Sequence, residues 1–440
     1  MSKRTLAAIG CGGRTYTYVS LAMTHWRDRF DIVAAADPIR ERAERLRSFA
    51  HTPASFRVFE NDNALLAEER LADIMIIGTQ DTHHVQPCLA AMQKGYDILL
   101  EKPIATRPAD ILMLADTARR LGRRVMVCHV LRYAPFYDQV KQCVDSGQLG
   151  EIRSIHASEG VGPWHFAHSY VRGHWRRSDT SCPMIVAKSC HDTDILAWLI
   201  GDPCISVASV GSLSHFRAAC APVGAPARCT DGCPHADTCP YNALQYLTAQ
   251  RKWLAYVCDR EQDHLDRGGA APDAEIREWL QQAPWGRCVY RCDNDAPDHQ
   301  TAQFQFAGGQ TATLTVTAFD DGRNIEICGT RGVLRGGHAL RHRVGLDADY
   351  MITDHATVNT TYHRVDEQSG GYDGHGGGDY GLVSQLYDEM TQPDPMAIRA
   401  SIHRAVEGHL MAFAAEAARL HGRTIEMSGR MGMWSDPGSP

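Results

Sequence analysis

The run Glu101-Lys102-Pro103 follows an apolar, strand-like segment, Tyr96-Asp97-Ile98-Leu99-Leu100, and precedes a helix-like run from Pro108 to Leu121. A side chain at the carboxyl end of a parallel strand projects into the crevice where open α/β sheets bind ligands. A lysine whose pKa is lowered by burial gives or takes a proton near neutrality, which makes Lys102 a candidate acid/base. Without that context it reads as a surface lysine beside a prolyl turn. His191 opens a second candidate set. Residues 190–200 have helical periodicity, with His191, Asp194, Ile195 and Trp198 on neighbouring turns. A lone His at a helix start more often serves structure than chemistry. An aromatic, basic stretch lies upstream, with Trp164, His165, His168, Tyr170, His174, Trp175 and Arg176. Aromatic faces and hydroxyl-directed polar groups suit a sugar ring, and the alternative is an ordinary surface loop. Near the end, Gly370 to Asp379 is glycine-dense and carries His375 ahead of a helix. Such a loop can serve as a lid, with Asp379 as a helix N-cap.

The elements that must position these groups begin at the N-terminus. Thr5 to Ile9 reads as a buried strand, Gly10-Cys11-Gly12-Gly13-Arg14-Thr15 as a glycine turn, and the stretch to Trp26 as a helix. Glycines let the backbone approach a pyrophosphate while the helix N-terminus offers N–H donors. Thr15 stands where the dinucleotide fingerprint has Gly or Ala. The strand Ile32 to Ala36 ends in Asp37, at the distance where an acid binds a ribose 2′-hydroxyl and repels a 2′-phosphate. That favours NAD, while Arg40 and Arg42 leave NADP open; Asp37 also fits a turn or N-cap. Asp73 to Ile77 reads as a fully buried parallel strand, and Gly78 to His84 as its strand-end loop, with Thr79, Gln80 and His84 facing the cofactor. Arg124 to Val130 is the last strand, and His129 to Tyr133 put polar groups at the same sheet edge.

The glycine turn, Asp37, the Glu101-Lys102-Pro103 run and His191 together resemble the Gfo/Idh/MocA superfamily, typified by glucose–fructose oxidoreductase and inositol dehydrogenase. The resemblance implies an α/β chain with an N-terminal Rossmann domain, a doubly wound parallel sheet, over residues 1–133. A C-terminal α/β domain with a large, mostly antiparallel open sheet would follow over 134–427, with a Cys-rich insertion at 217–285 and a flexible tail at 428–440. It implies NAD(P) and a carbohydrate, glycoside or polyol substrate. The expected cofactor contacts are Gly10, Gly12, Gly13, Arg14, Thr15, Asp37, Arg42, Thr79, Gln80, His84, Glu101, Lys102, Arg132, Trp175 and Arg176. The expected substrate contacts are Lys102, Tyr133, Trp164, His165, Arg176, Lys188, His191 and His375. Trp175-Arg176 resembles the family's element near the nicotinamide, and His191 its active-site His. Many members carry an Asp four residues before that His. This chain has Ala187 there, and Lys188 is the candidate replacement, since two lysines in one site depress each other's pKa. A His-Gly-Gly-x-Asp loop like that at His375 occurs in the branch that hydrolyses glycosides with NAD, which gives an alternative activity. A non-catalytic, NAD-binding regulator is a third. The family's open sheet face implies a homodimer or homotetramer.

The remaining features set limits. Ile152 to Ala157, Ser206 to Phe216, Thr301 to Phe306, Thr311 to Phe319 and Arg323 to Cys328 alternate as strands, and the large sheet is expected over about 288 to 345. Cys220, Cys229, Cys233 and Cys239 form C-x8-C-x3-C-x5-C. Four thiols this close can bind a structural zinc, with Cys229, Cys233 and Cys239 as its core and Cys220 or His235 as fourth ligand. The net charge of −7 argues against nucleic acid and anionic membranes, and no apolar run is long enough to span a bilayer. The fifteen scattered cysteines suit a reducing cytoplasm.

Overall fold

The computed structural model describes residues 3–365 and 375–427. The expected tail at 428–440, and Gly370 to Gly374 of the glycine-dense loop, lie outside the described residues. The first sheet contains β1 (Arg4–Ile9), β2 (Phe30–Ala36), β3 (Arg57–Phe59), β4 (Ile74–Ile77), β5 (Asp97–Leu100) and β6 (Val125–Val127). They run in the order β3-β2-β1-β4-β5-β6, all parallel. This doubly wound order explains the near-continuous apolar runs, because both faces of such a sheet are covered. Met75, Ile77, Ile98 and Leu100 point to one side, against Cys88, Ala91, Ile111 and Leu114. Ile74, Ile76 and Leu99 point to the other, against Tyr18 and Val19. The second face is completed from far along the chain. Helix Gly378–Met390 lays Leu382, Val383 and Leu386 onto it.

The second sheet contains β7 (Ile152–Val161), β8 (Cys204–Ser212), β9 (His299–Phe306), β10 (Thr311–Thr317), β11 (Asp321–Gly329), β12 (Gly332–Gly337), β13 (Tyr350–Asp354), β14 (Thr360–His363) and β15 (Ile425–Glu426). Their order is β14-β13-β12-β11-β7-β10-β9-β8-β15. Only the β7–β10 pairing is parallel, so the sheet is mostly antiparallel, as the family resemblance implied. Alternation sets its faces. Ala302, Phe304, Leu314 and Val316 are buried, while Thr301, Gln303, Gln305, Thr311 and Thr315 line the wetter face. The run of strands expected from about 288 begins at His299 instead, because Val289–Arg291 is a single helical turn and Cys288 donates its N–H to Ala227 O across the base of the insertion. The last strand of the first sheet is also shorter than expected, since the chain turns into Val130–Tyr133 immediately after it.

Helix Ile402–His421 joins the two units. Ile402, Ala405, Leu410 and Ala414 share one buried cluster with both sheets. The Cys-rich insertion is built rather than loose: helices Leu254–Val257, Asp259–Asp266 and Asp273–Gln282 enclose a core of Leu247, Leu254, Ile276, Leu280 and Trp285. Among the described residues no helix is long and apolar enough to cross a membrane.

Candidate active site

The glycine turn after β1 has the construction a dinucleotide requires. Gly10 has φ +79°, and a Cβ there would stand 2.6 Å from Thr79 N. At Gly12 a Cβ would meet nothing within 4 Å, so the backbone stays open to a ligand. Thr15 explains its own departure from the fingerprint: its hydroxyl donates to Gly10 O at 2.6 Å and closes the turn from within. Helix Gly13–His25 starts there with no acid in its first turn, leaving its positive end for an anion. The Asp37 carboxylate accepts the Cys11 N–H at 2.7 Å and the Ile39 N–H at 2.8 Å. Thr79 Oγ1 faces the same region, buried and without a partner. These residues fit NAD.

The insertion reaches this turn, which the sequence did not foretell. A Cβ on Gly13 would strike the Tyr256 ring at 2.0 Å, so Tyr256 lies flush on the glycine turn. Arg42 is held by Asp259 at 3.1 Å, and Arg45 by Asp263 at 3.2 Å and Asp266 at 3.0 Å.

Lys102 leaves β5 toward the second unit, and its Nζ donates to Ala187 O at 2.9 Å. The loop that carries it is braced on both sides. His84 lies between Pro103 O at 2.8 Å and Thr79 O at 3.1 Å. His409, from the long helix, accepts the Ile104 N–H on Nε2 and bonds Ala405 O through Nδ1. Glu101 accepts from Tyr18, Arg14 and the Lys102 N–H. Burial alone would raise its carboxyl, but Arg14, Lys102 and the Tyr18 hydrogen bond outweigh it and hold it below its ordinary value.

His191 sits in the first turn of helix Cys190–Ile200, 3% exposed, with Nδ1 unpartnered. Burial, then the charge of Lys102, pushes it well below the usual imidazole range, so it is neutral near pH 7. It belongs to a row of four imidazoles: His375–His191 at 5.6 Å, His191–His129 at 5.7 Å and His129–His409 at 5.0 Å between ring centres. His375, with φ +55°, is tied to Asp379 at 3.0 Å. Asp379 in turn pairs with Arg14, which links the His375 loop to the cofactor turn.

Lys188 points inward, 3.1 Å from Glu159 Oε1. Arg323 bridges Glu159 at 2.9 Å and Asp192 at 2.7 Å. Burial lowers Lys188, with Glu159 opposing and Arg323 reinforcing the shift. Burial pushes Asp192 up to about 6 against the pull of Arg323. His165 is pushed down by burial and then by Lys188; it packs on Trp253 at 4.2 Å, beside Trp164. Trp175 Nε1 donates to Asp81 at 2.7 Å, joining the aromatic stretch to the loop after β4.

Several expected contacts are otherwise engaged. Arg132 makes a buried two-pronged pair with Asp194, 2.7 Å on each prong, and also caps Arg399 O. Tyr133 reaches Glu389 at 3.4 Å under the Arg399 guanidinium. Arg176 turns to Asp293 at 3.1 Å, and Gln80 is exposed. The zinc expectation is corrected: among the described residues no group of three or more His, Cys, Asp or Glu could hold a metal ion. Cys229 instead accepts a bond from Arg172, Cys220 faces Ser214 O, and His235 faces Val223 O. Sequence reasoning gave no role to His409, Asp81, Glu159, Arg323, Tyr256 or Asp259.

Two family models match the chain: an oxidoreductase family's NAD-binding Rossmann fold over residues 4–129 and the same family's C-terminal alpha/beta domain over 141–392. The chain is 22% identical over 347 residues to YteT of Bacillus subtilis (strain 168), covering 75% of this chain and 76% of that one. It is 28% identical over 177 residues to an inositol 2-dehydrogenase of Streptomyces avermitilis, a stretch spanning 40% of this chain and 47% of that protein. Among solved structures it resembles scyllo-inositol dehydrogenase of Lactobacillus casei with NAD(H) and scyllo-inositol, at TM-score 0.62 and 14% identity over 97% of this chain and 100% of that one. It also resembles an Agrobacterium radiobacter oxidoreductase, at TM-score 0.65 and 16% identity over 98% of this chain and 100% of that one.

Proposed function

The chain belongs to the Gfo/Idh/MocA family of NAD-binding oxidoreductases, and we propose that within it this protein acts on a secondary hydroxyl of a sugar, glycoside or polyol. What carries this reading is the meeting of Lys102, from the carboxyl edge of the first sheet, with the Ala187–His191 segment of the second unit. A hydroxyl bound between them has Lys102 Nζ on one side and a neutral, unpartnered imidazole nitrogen on the other. Lys102 and His191 take the hydroxyl proton, and the bound nicotinamide supplies the hydride acceptor. The alcohol carbon loses two electrons and becomes a ketone, and the reverse direction reduces it. Lys188, His165, Trp164 and His375 border the substrate. Glu159 and Arg323 hold Lys188 in place, and His84 and His409 hold the Lys102 loop. The named ligand of the Lactobacillus casei neighbour, scyllo-inositol, is of the polyol class this site would accept.

A second reading has its own observation. Tyr256 lies on the glycine turn, and two arginines beside it are clamped by the insertion, an arrangement suited to a cofactor that stays bound through many turnovers. A retained cofactor serves a redox-neutral glycosidase. There, oxidation at C3 acidifies the C2 proton, a base removes it, the aglycone leaves, water adds and the ketone is returned to the alcohol. Assaying a panel of polyols, sugars and aryl glycosides with NAD separates the two. NADH formation without aglycone release supports the dehydrogenase, and aglycone release without net NADH supports the hydrolase. Turnover that survives Lys102→Ala would sink both.

A further inference from the structure

The insertion sends one short segment back across the site. Arg251 and Trp253 both take left-handed backbone, at φ +50° and +55°, a conformation that bulky side chains avoid. Such a turn persists only where its surroundings impose it, and here they do. The Arg251 guanidinium is held by Glu261, Ala271 O and Asp273, each at 2.7 Å. The Lys252 N–H donates to Tyr246 O at 2.8 Å, and Leu254 is buried in the insertion's core. The turn delivers the Trp253 ring to the aromatic stretch of the second unit. Its centre lies 4.2 Å from that of His165 and 4.8 Å from that of Trp164, edge to face in both pairs. Lys252 stands over the Trp164 ring at 4.8 Å, so Trp253 is the more open indole at this corner, with 38% of the residue accessible. A wholly buried ring would account for the strained turn through packing alone, and this ring is not buried. Tyr256, three residues on, lies on the glycine turn, so one segment borders both the cofactor and the substrate groups.

We propose that Trp253 forms a second substrate subsite, which receives the ring attached to the sugar being oxidised, so that the substrate is a glycoside and not a free polyol. This rests on the reading of Lys102 and His191 as the place where a sugar hydroxyl is held. The contacts order the groups outward from there. Lys102 touches Ala187 O. Lys188, the next residue, has a side chain 11% exposed, and its charge acts on His165. His165 in turn packs on Trp253. Exposure rises along this series, which sets Trp253 at the rim, away from the reacting hydroxyl. An indole offers a flat apolar face with a polar edge. The ligand chemistry that fits is a ring with an apolar face, either the C–H side of a second sugar or an arene. A one-ring polyol held at Lys102 and His191 leaves this face unused.

Calorimetric titration of the full chain loaded with NAD tests the subsite, using methyl and phenyl glucosides, methyl and phenyl galactosides, and cellobiose. A phenyl glycoside is expected to bind about tenfold more tightly than its methyl counterpart. Trp253→Gly removes the ring at a backbone position that glycine adopts freely. It should bring the phenyl-to-methyl ratio to within about twofold of unity and leave methyl glycoside affinity unchanged, whereas a merely structural Trp253 would leave the ratio where it was. Should that variant fail to fold, Trp253→Asn, which also tolerates left-handed backbone, takes its place. Cellobiose beside phenyl glucoside shows whether the preferred ring is a sugar or an arene, and a gain from either supports the subsite. Equal affinity for one-ring and two-ring ligands, no binding of any of them, or a preference that survives Trp253→Gly overturns it. Turnover with NAD is read separately: no redox chemistry on the glycosides that bind would indict the oxidoreductase reading and leave the subsite to its binding ratio.

Discussion

Asp259→Ala is expected to tighten NADP binding and leave NAD binding nearly unchanged. In the folded chain both Nε and Nη2 of Arg42 lie 3.1–3.2 Å from the Asp259 carboxylate, so this cation beyond the end of β2 is already paired. A 2′-phosphate would have to displace Asp259 while also meeting the charge of Asp37. The two side chains are 29% and 48% exposed, and a pair this wet contributes only ~0.2–1 kcal/mol to folding, so the variant should fold normally. Removing the acid frees Arg42 and deletes one repulsive charge. A hydrogen bond to a charged group is worth ~1.5–3 kcal/mol; allowing for screening at an exposed site, about 1.4 kcal/mol survives, a tenfold tighter NADP complex. NAD carries no 2′-phosphate and should change less than about threefold, well under that 1.4 kcal/mol step. Calorimetric titration of both cofactors at low and high salt provides the assay, since a gain of this origin shrinks as salt rises. Adding Arg42→Ala to Asp259→Ala should erase it. An unchanged NADP affinity in Asp259→Ala, or a gain that survives loss of Arg42, would refute the reasoning.

Lys102→Ala should lower turnover by roughly 10²–10⁴-fold and leave NAD affinity within a factor of a few, as read by steady-state kinetics beside cofactor titration; near-normal kcat would exclude Lys102 from proton transfer. Tyr256→Ala opens the glycine turn and should speed NAD release, read by stopped-flow fluorescence, with an unchanged release rate counting against the insertion as a cover. Acid should destabilise the fold. Burial holds His409 and His168 down at about 3 and depresses His129, His165 and His191 as well. For groups with depressed folded pKa values the unfolded chain takes up the protons, so their stabilisation is complete above the unfolded imidazole value and drains as pH falls from about 6.5 toward 3, near 2 kcal/mol per imidazole by pH 5. Asp192, pushed up to about 6 by burial, acts in the opposite sense but is one group against five. Urea midpoints at pH 7.5 and 5 check the sign, and equal midpoints would contradict it.

The parts of this molecule legible in its sequence are those whose residues are adjacent in the chain. β4 and β5 announce themselves because all of Ile74–Ile77 and Ile98–Leu100 are buried, and a doubly covered parallel strand has no polar face to interrupt the run. The glycine turn and the Lys102 loop are likewise local. The short strands β13 to β15 carry too few residues to show a period, and β14 lies at an edge where Thr360 to Tyr362 are exposed. The site's supports are harder still. His409 lies in an apolar helix some 300 residues from the Ile104 N–H it accepts, and nothing in its neighbours marks it. Asp259 reads as one acid among several in an amphipathic helix, and its meaning comes entirely from Arg42 across the cofactor turn.

Ala187 carries this furthest. An alanine where relatives offer a carboxylate reads as a lost catalytic group, yet the contact made to Lys102 at that position comes from the main-chain carbonyl. A carbonyl is present whatever the side chain, so no sequence comparison can register its use. What the sequence does register is the consequence. With no carboxylate at 187, the charge beside Lys102 is set by Lys188, Glu159, Arg323 and Asp192, two cations and two anions bound within 3.1 Å of one another. The hydrogen bond that Lys102 Nζ donates goes to the Ala187 carbonyl and not to a carboxylate. The positive field of Lys102 falls on His191 and on His129 beside it, and both keep unpartnered ring nitrogens.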